Sequence, residues 1–163
     1  FDDLNVRIEH GELAVPDSIH FADSLKFTTP GGKIVYGGGG IMPDIFVPVD
    51  TTGRSSYFLA VRPLIYRFAL KYTETNRADL KKYTEAGEME KYLDKQALLD
   101  QFIDFASKNG VRKDAAGLKL SGNVILTQIK AYIARNILDT KGFYPIWKEL
   151  DTTLKYAIEY LNK

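Results

Sequence analysis

Apolar residues keep two different rhythms along this chain. Up to about residue 54 they come in short alternating runs, Lys33-Ile34-Val35-Tyr36 and Asp44-Ile45-Phe46-Val47-Pro48-Val49, among most of the glycines and four of the six prolines. That pattern reads as strands and turns. From Ser55 onward the step becomes three and four. Tyr57, Val61, Leu64, Ile65, Phe68 and Tyr72 predict a helix capped by Ser55 or Ser56 and ending near Tyr72, with Pro63 either kinking it or marking its first turn. Asn76 is expected to cap a short helix through Tyr83. Leu98, Leu99, Phe102, Ile103 and Phe105 place a broad apolar face on a helix from Lys95 to Ser107, closed by Asn109-Gly110.

Two longer helices are expected at the end. Ser121 is read as the cap of one running to about Thr140, with Val124, Ile125, Ile129, Tyr132, Ile133 and Ile137 as its stripe. After a break at Lys141-Gly142, a second stripe runs through Phe143, Ile146, Trp147, Leu150, Leu154, Ile158 and Leu161. The fold class that follows is mainly α: a bundle of about four or five helices, residues 55–163, preceded by a short strand-rich segment, residues 1–54. Trp147 is expected near the centre of the bundle core.

Composition narrows the function classes. The 163 residues are 45% apolar and 26% charged, enough to bury a core. Lys plus Arg number 22 against 21 Asp plus Glu, so no basic field points to nucleic acid. The absence of cysteine removes disulfides, thiolate nucleophiles and cysteine metal sites. No apolar run is long enough to span a bilayer. A chain opening on Phe1 rather than methionine reads as part of something longer.

Candidate chemistry is sparse. Tyr36-Gly37-Gly38-Gly39-Gly40-Ile41-Met42-Pro43-Asp44 is glycine-rich, but a phosphate loop needs Gly-Lys-Ser/Thr entering a helix, and Pro43 opposes a helix start. The glycines are expected to allow close backbone passage instead. His10 and His20 lack metal-ligand spacing and read as surface or turn residues. Among Ser18, Ser24, Ser55, Ser56, Ser107 and Ser121 none sits in a Gly-x-Ser-x-Gly elbow. A pairing of Ser18 or Ser24 with Lys33 would need a desolvated lysine, where a hairpin turn exposes it. Glu88 and Glu90 read as a solvated face. Tyr57, Tyr66, Phe68, Tyr72, Tyr132 and Trp147 read as core packing rather than a cofactor box. No catalytic, cofactor-binding or metal-ligating residue is assigned, and no cofactor is expected.

One stretch carries a likeness. Thr28-Thr29-Pro30-Gly31-Gly32-Lys33-Ile34-Val35-Tyr36, then Gly39-Gly40-Ile41-Met42-Pro43-Asp44-Ile45-Phe46-Val47-Pro48, resembles the end of the peptidase domain in carboxyl-terminal processing peptidases, the tail-specific serine proteases. There a Thr-Pro-x-Gly-Arg/Lys strand-turn precedes Gly-x-Gly-Ile-x-Pro-Asp and a short apolar strand. The form found in Bacteroidetes-type bacteria is similar further, in His20-Phe21-Ala22-Asp23-Ser24-Leu25-Lys26, in Pro48-Val49-Asp50-Thr51-Thr52 and in Gln128-Ile129-Lys130-Ala131-Tyr132-Ile133-Ala134-Arg135.

That resemblance implies a parent enzyme that cleaves peptide bonds near substrate C-termini with a Ser/Lys dyad. The serine segment ending in Glu and the lysine of Gly-Lys-Gly lie upstream of the strand-turn in such proteins, and neither occurs here. On this reading the chain is a noncatalytic C-terminal region whose strands complete the protease sheet. Its partners are then the upstream peptidase and PDZ domains and the parent's protein or peptide substrates, in the periplasm or cell envelope, with homo-oligomers left open. Two other readings stay open: an independent helical interaction or oligomerisation module, and a small hydrolase or nucleotide enzyme using the glycine loop.

Overall fold

The computed structural model of the chain describes residues 8–11, 23–37 and 45–162. It divides into two units, Phe1–Asp50 and Thr51–Lys163. In the first, strands β1 (Lys26–Thr28) and β2 (Ile34–Tyr36) pair antiparallel with Phe27 opposite Val35. Thr29 donates its N–H to the Lys33 carbonyl at 2.8 Å, Gly32 donates to the Thr29 carbonyl at 2.9 Å, and Gly32 sits at φ 83°. Pro30 presets the turn and Gly32 accepts the left-handed conformation at little cost, so the expected hairpin forms. Of the glycine run only Gly37 is described, and a Cβ there would stand 3.0 Å from the Phe27 ring. Gly38 to Asp44 lie outside the described residues.

The second unit is helical throughout, so the chain is mainly α with a two-stranded antiparallel sheet ahead of its helices. Helix α1 spans Ser56–Thr75 and Ser55 caps it, accepting from the Phe58 N–H. Pro63 lies inside α1, which continues past it, and its exposed position turns the missing hydrogen bond toward water. Asn76 does not open the next helix with its side chain. Its Nδ2 instead donates to the Tyr72 carbonyl at 2.9 Å and closes α1. Short α2 (Arg77–Leu80) follows, then α3 (Ala86–Leu93), α4 (Leu98–Lys108), α5 (Ala115–Leu138), α6 (Thr140–Trp147) and α7 (Thr152–Leu161).

Several expected boundaries move. Glu88 is exposed as expected, yet it lies on a helix, α3, whose Ala86, Met89 and Leu93 are buried at three- and four-residue steps. Ala97 adopts φ 47° and holds the start of α4 back to Leu98, while Gly110 at φ 88° follows its end as expected. Helix α5 begins at Ala115, with the Asp114 carboxylate accepting from the Gly117 N–H at 3.0 Å. Ser121 is therefore a buried mid-helix residue, not a cap. The break after α5 falls at Asp139, φ 57°, rather than at Gly142. A Cβ on Gly142 would meet the Ala134 carbonyl oxygen at 2.5 Å, so that glycine lets α6 fold closely back on α5. The last expected stripe is split in two by a 3-10 turn and a new cap at Asp151, whose carboxylate accepts from the Leu154 N–H at 2.9 Å.

Helix α5 is the hub, packed along α1 and against α3, α4 and α6. Partners on several sides bury Ile125, Thr127, Ile129, Ala131, Ile133 and Ala134 together, so its apolar residues spread beyond one stripe. Phe102, Ile65, Leu80, Met89, Leu93 and Leu98 are fully buried around it, as are Val61 and Ile146. Trp147 is only half-buried at its edge, stacked on Phe143 with ring centroids 4.9 Å apart, and Phe102 holds the central aromatic position instead.

Candidate functional site

His10 stands exposed in a turn, and Ser24 lies exposed in a 3-10 turn. Ser18 and His20 lie outside the described residues. Lys33 is exposed at the hairpin loop, its N–H donating to Thr29 Oγ1 at 3.1 Å. Ser56 and Ser107 are exposed on helices. Among the described residues no group of three His, Asp or Glu is placed to hold a metal ion. No helix there is long and apolar enough to cross a membrane.

Two serines do meet. Ser121 Oγ donates to Ser55 Oγ at 2.7 Å and accepts the Ser55 N–H at 2.9 Å, while Ser55 Oγ donates to the Gly117 carbonyl at 3.2 Å. A nucleophilic serine needs a base poised to take its proton. Here both hydroxyl protons go to neutral oxygens, and the pair clasps the start of α1 onto α5. Beside the clasp the Tyr57 hydroxyl is buried without a hydrogen-bond partner among the described residues. Desolvation first, then the Asp114 carboxylate, raise its pKa.

The principal charged cluster is one that the sequence reading did not single out. Lys130, on the hub helix, places its Nζ 2.7 Å from Glu90 Oε1 and 3.0 Å from Asp94 Oδ1 on α3. Glu90 is thus half-buried and paired rather than part of a solvated face. Burial alone would lower the Lys130 pKa, but the hydrogen bonds it donates to the Glu90 and Asp94 carboxylates and their negative charges outweigh it, and the net shift is upward. An ammonium held in that state is a poor general base. The available signal was a lone lysine inside an apolar helical run, between Ile129 and Ala131.

A cleft of about 320 Å³ opens where the C-terminal end of α1 meets α4, floored by Phe68, Tyr72 and Phe105 and rimmed by Lys71, Asp104 and Lys108. Lys71 Nζ lies 5.7 Å from the centre of the Phe105 ring. Burial first, then the neighbouring Tyr92, push the Tyr72 phenol up to about 12, so it stays neutral.

The remaining feature is apolar and external. Tyr66 and Tyr132 meet edge to face at 5.3 Å, and Tyr132 continues to Phe143 and Trp147, an aromatic seam across α1, α5 and α6. Beyond it, no residue of α7 is buried, and Leu154, Tyr156, Ile158, Tyr160 and Leu161 are exposed by 40% to 81%. No curated protein and no solved structure gives a significant match to the chain. Residues 57–139, just over half of the chain and covering nearly all of α1 through the end of α5, match the family described as "Family of unknown function (DUF8443)", and the chain belongs to it.

Proposed function

We propose that this chain is the noncatalytic C-terminal region of a tail-specific serine peptidase, its hairpin completing the protease sheet and its helical unit serving packing or assembly. The observation that carries the reading is the hairpin. Thr29-Pro30-Gly31-Gly32-Lys33 forms its connection, matching the strand-turn of the resemblance, and Phe27, Ile34 and Val35 stand exposed by 57%, 49% and 39% on strands of three residues each. A two-stranded ribbon so short gains little stability alone, and pairing within a larger sheet would add to it. The reading also requires the Ser/Lys dyad, the PDZ domain and the periplasmic or envelope address to be supplied by the parent.

The test is the coding sequence upstream of Phe1. A serine in a small-residue segment ending in Glu, followed by Gly-Lys-Gly, is expected there. An upstream frame carrying neither removes the peptidase reading. The chain by itself is expected to leave an unfolded protein substrate uncleaved, and in the full-length protein an acylating probe should still label the serine after residues 55–163 are deleted. A folded truncated protein that loses labelling as fully as proteolysis would place the helical unit in the active site. The uncovered face of α7 favours the second reading, an interaction or oligomerisation module, which is compatible with the first and does not depend on it.

A further inference from the structure

Helix α1 is apolar on two sides. Tyr57, Val61, Leu64, Ile65, Phe68 and Tyr72 face the core. At about 100° per residue, Leu59, Pro63, Tyr66 and Leu70 fall within about 60° of one another on the opposite side. They stand in solvent: Leu59, Tyr66 and Leu70 are exposed by 60%, 47% and 37%, and Pro63 is exposed as well. Their steps of four, three and four residues are those of a stripe that a second helix packs against, continued over about 16 Å. Tyr66 meets Tyr132, so the stripe runs on into the aromatic seam of α5 and α6.

Two arginines flank this stripe. Arg62 and Arg67 stand about 70° to either side of its centre, where the flanking residues of one helix in a packed pair meet those of the other. Both are exposed, and among the described residues no ion pair engages either. We infer that the stripe is the docking site for an acidic amphipathic helix of another protein. Its apolar residues lie along Leu59, Pro63, Tyr66 and Leu70, and its Asp or Glu side chains pair with Arg62 and Arg67.

The same two charges exclude other occupants. A second copy laid stripe to stripe in parallel puts Arg62 and the partner's Arg67 on one flank. Antiparallel, with Leu59 level with the partner's Leu70, each flank holds two arginines and no carboxylate. Glu74, the acidic residue of α1, lies beyond the end of the stripe. The other uncovered helix, α7, turns Glu159 away from its Leu154, Ala157, Ile158 and Leu161 stripe, so it offers these arginines no partner either. Anionic bilayers are held by clusters of about four to eight basic residues, and two flank this stripe. This inference rests on the interaction reading of the helical unit, not on the peptidase reading.

The probe is a synthetic peptide of about three heptads with Leu at the two seam positions and Glu at the two flanking ones, whose like charges keep it from pairing with itself. Calorimetric titration into the whole chain should show binding at low salt that weakens as salt is added. The same peptide with Lys in place of Glu should bind more weakly by about tenfold or more. Arg62→Glu with Arg67→Glu should reverse that preference. Leu59→Asp with Leu70→Asp should abolish binding while the thermal midpoint shows the fold retained; the arginine exchange, made on exposed residues, carries the test if that variant unfolds. A chain that ignores the Glu peptide, or binds both peptides alike, overturns the site, as does binding that survives Leu59→Asp with Leu70→Asp. Self-association in sedimentation that is lost with those two substitutions puts a second copy on the stripe and overturns the proposal. Binding to phosphatidylglycerol vesicles that is lost with them, with no binding of the Glu peptide, puts a lipid surface there instead. Where the site fails but the chain still self-associates with both substitutions in place, the interaction reading survives through another face.

Discussion

The hydroxyls of Ser55 and Ser121 meet at 2.7 Å across 66 residues of chain, one capping a helix and the other buried in the middle of another. Ser55→Ala removes an N-cap and the acceptor of the Ser121 hydroxyl proton, and should destabilise the helical unit by roughly 1–2 kcal/mol. Ser121→Ala should cost about 1 kcal/mol through the lost acceptor for the Ser55 N–H. Because the residues share one network, the double variant should cost less than the sum. Urea denaturation of the four proteins measures this, and strict additivity would show that the clasp is not a unit.

Two helical glycines should respond to alanine with opposite signs. At Gly87 an added Cβ meets nothing within 4 Å, so Gly87→Ala should stabilise by a few tenths to about 1 kcal/mol. At Gly142 it meets the Ala134 carbonyl oxygen at 2.5 Å and carbon at 2.8 Å, so Gly142→Ala should destabilise by about 1–3 kcal/mol as α6 is pushed off α5. Thermal midpoints moving in the same direction for both would contradict the close packing.

Core rank is tested by aromatic truncation. Phe102 is fully buried and meets the Phe68 ring edge to face at 5.5 Å, so Phe102→Ala should cost about 3–5 kcal/mol. Trp147→Ala removes a half-buried ring stacked on Phe143 and should cost distinctly less, about 1–2 kcal/mol. Equal losses, measured by denaturant midpoint at constant slope, would restore Trp147 to the centre.

Lys130 sets a pH dependence with a definite sign. Its pKa is raised in the folded chain, so its contribution to stability is fully present below the unfolded lysine value, about 10.4, and is lost as pH rises through the folded value. The difference in stability between the wild type and Lys130→Met should hold constant from about pH 7 to pH 10 and shrink above it. Taking the difference removes the other lysines and tyrosines that titrate in that range. A difference that grows with pH above 10 would show that the ion cluster does not hold Lys130 charged.

How much of this could be read in advance depends on the range of the forces involved. A serine cap at Ser55 or Ser56, the stripe from Tyr57 to Tyr72, the Asn109-Gly110 closure and the hairpin connection at Pro30 to Lys33 each depend on neighbours within a few residues, and sequence alone determined them. So too did the mainly helical class. Tertiary structure decided what each glycine is for. Gly142 reads as part of a break in the linear sequence, yet it lies inside a helix, as Gly117 does, where a Cβ would strike Ala134 or Tyr57, while the real break uses Asp139 at φ 57°. It also decided that Lys130 pairs with Glu90 and Asp94, that Phe102 rather than Trp147 is central, and that α7 is left uncovered. Periodicity states which residues of an element are apolar. Which of them find a partner depends on chain segments tens of residues away, and that is settled only when the helices pack.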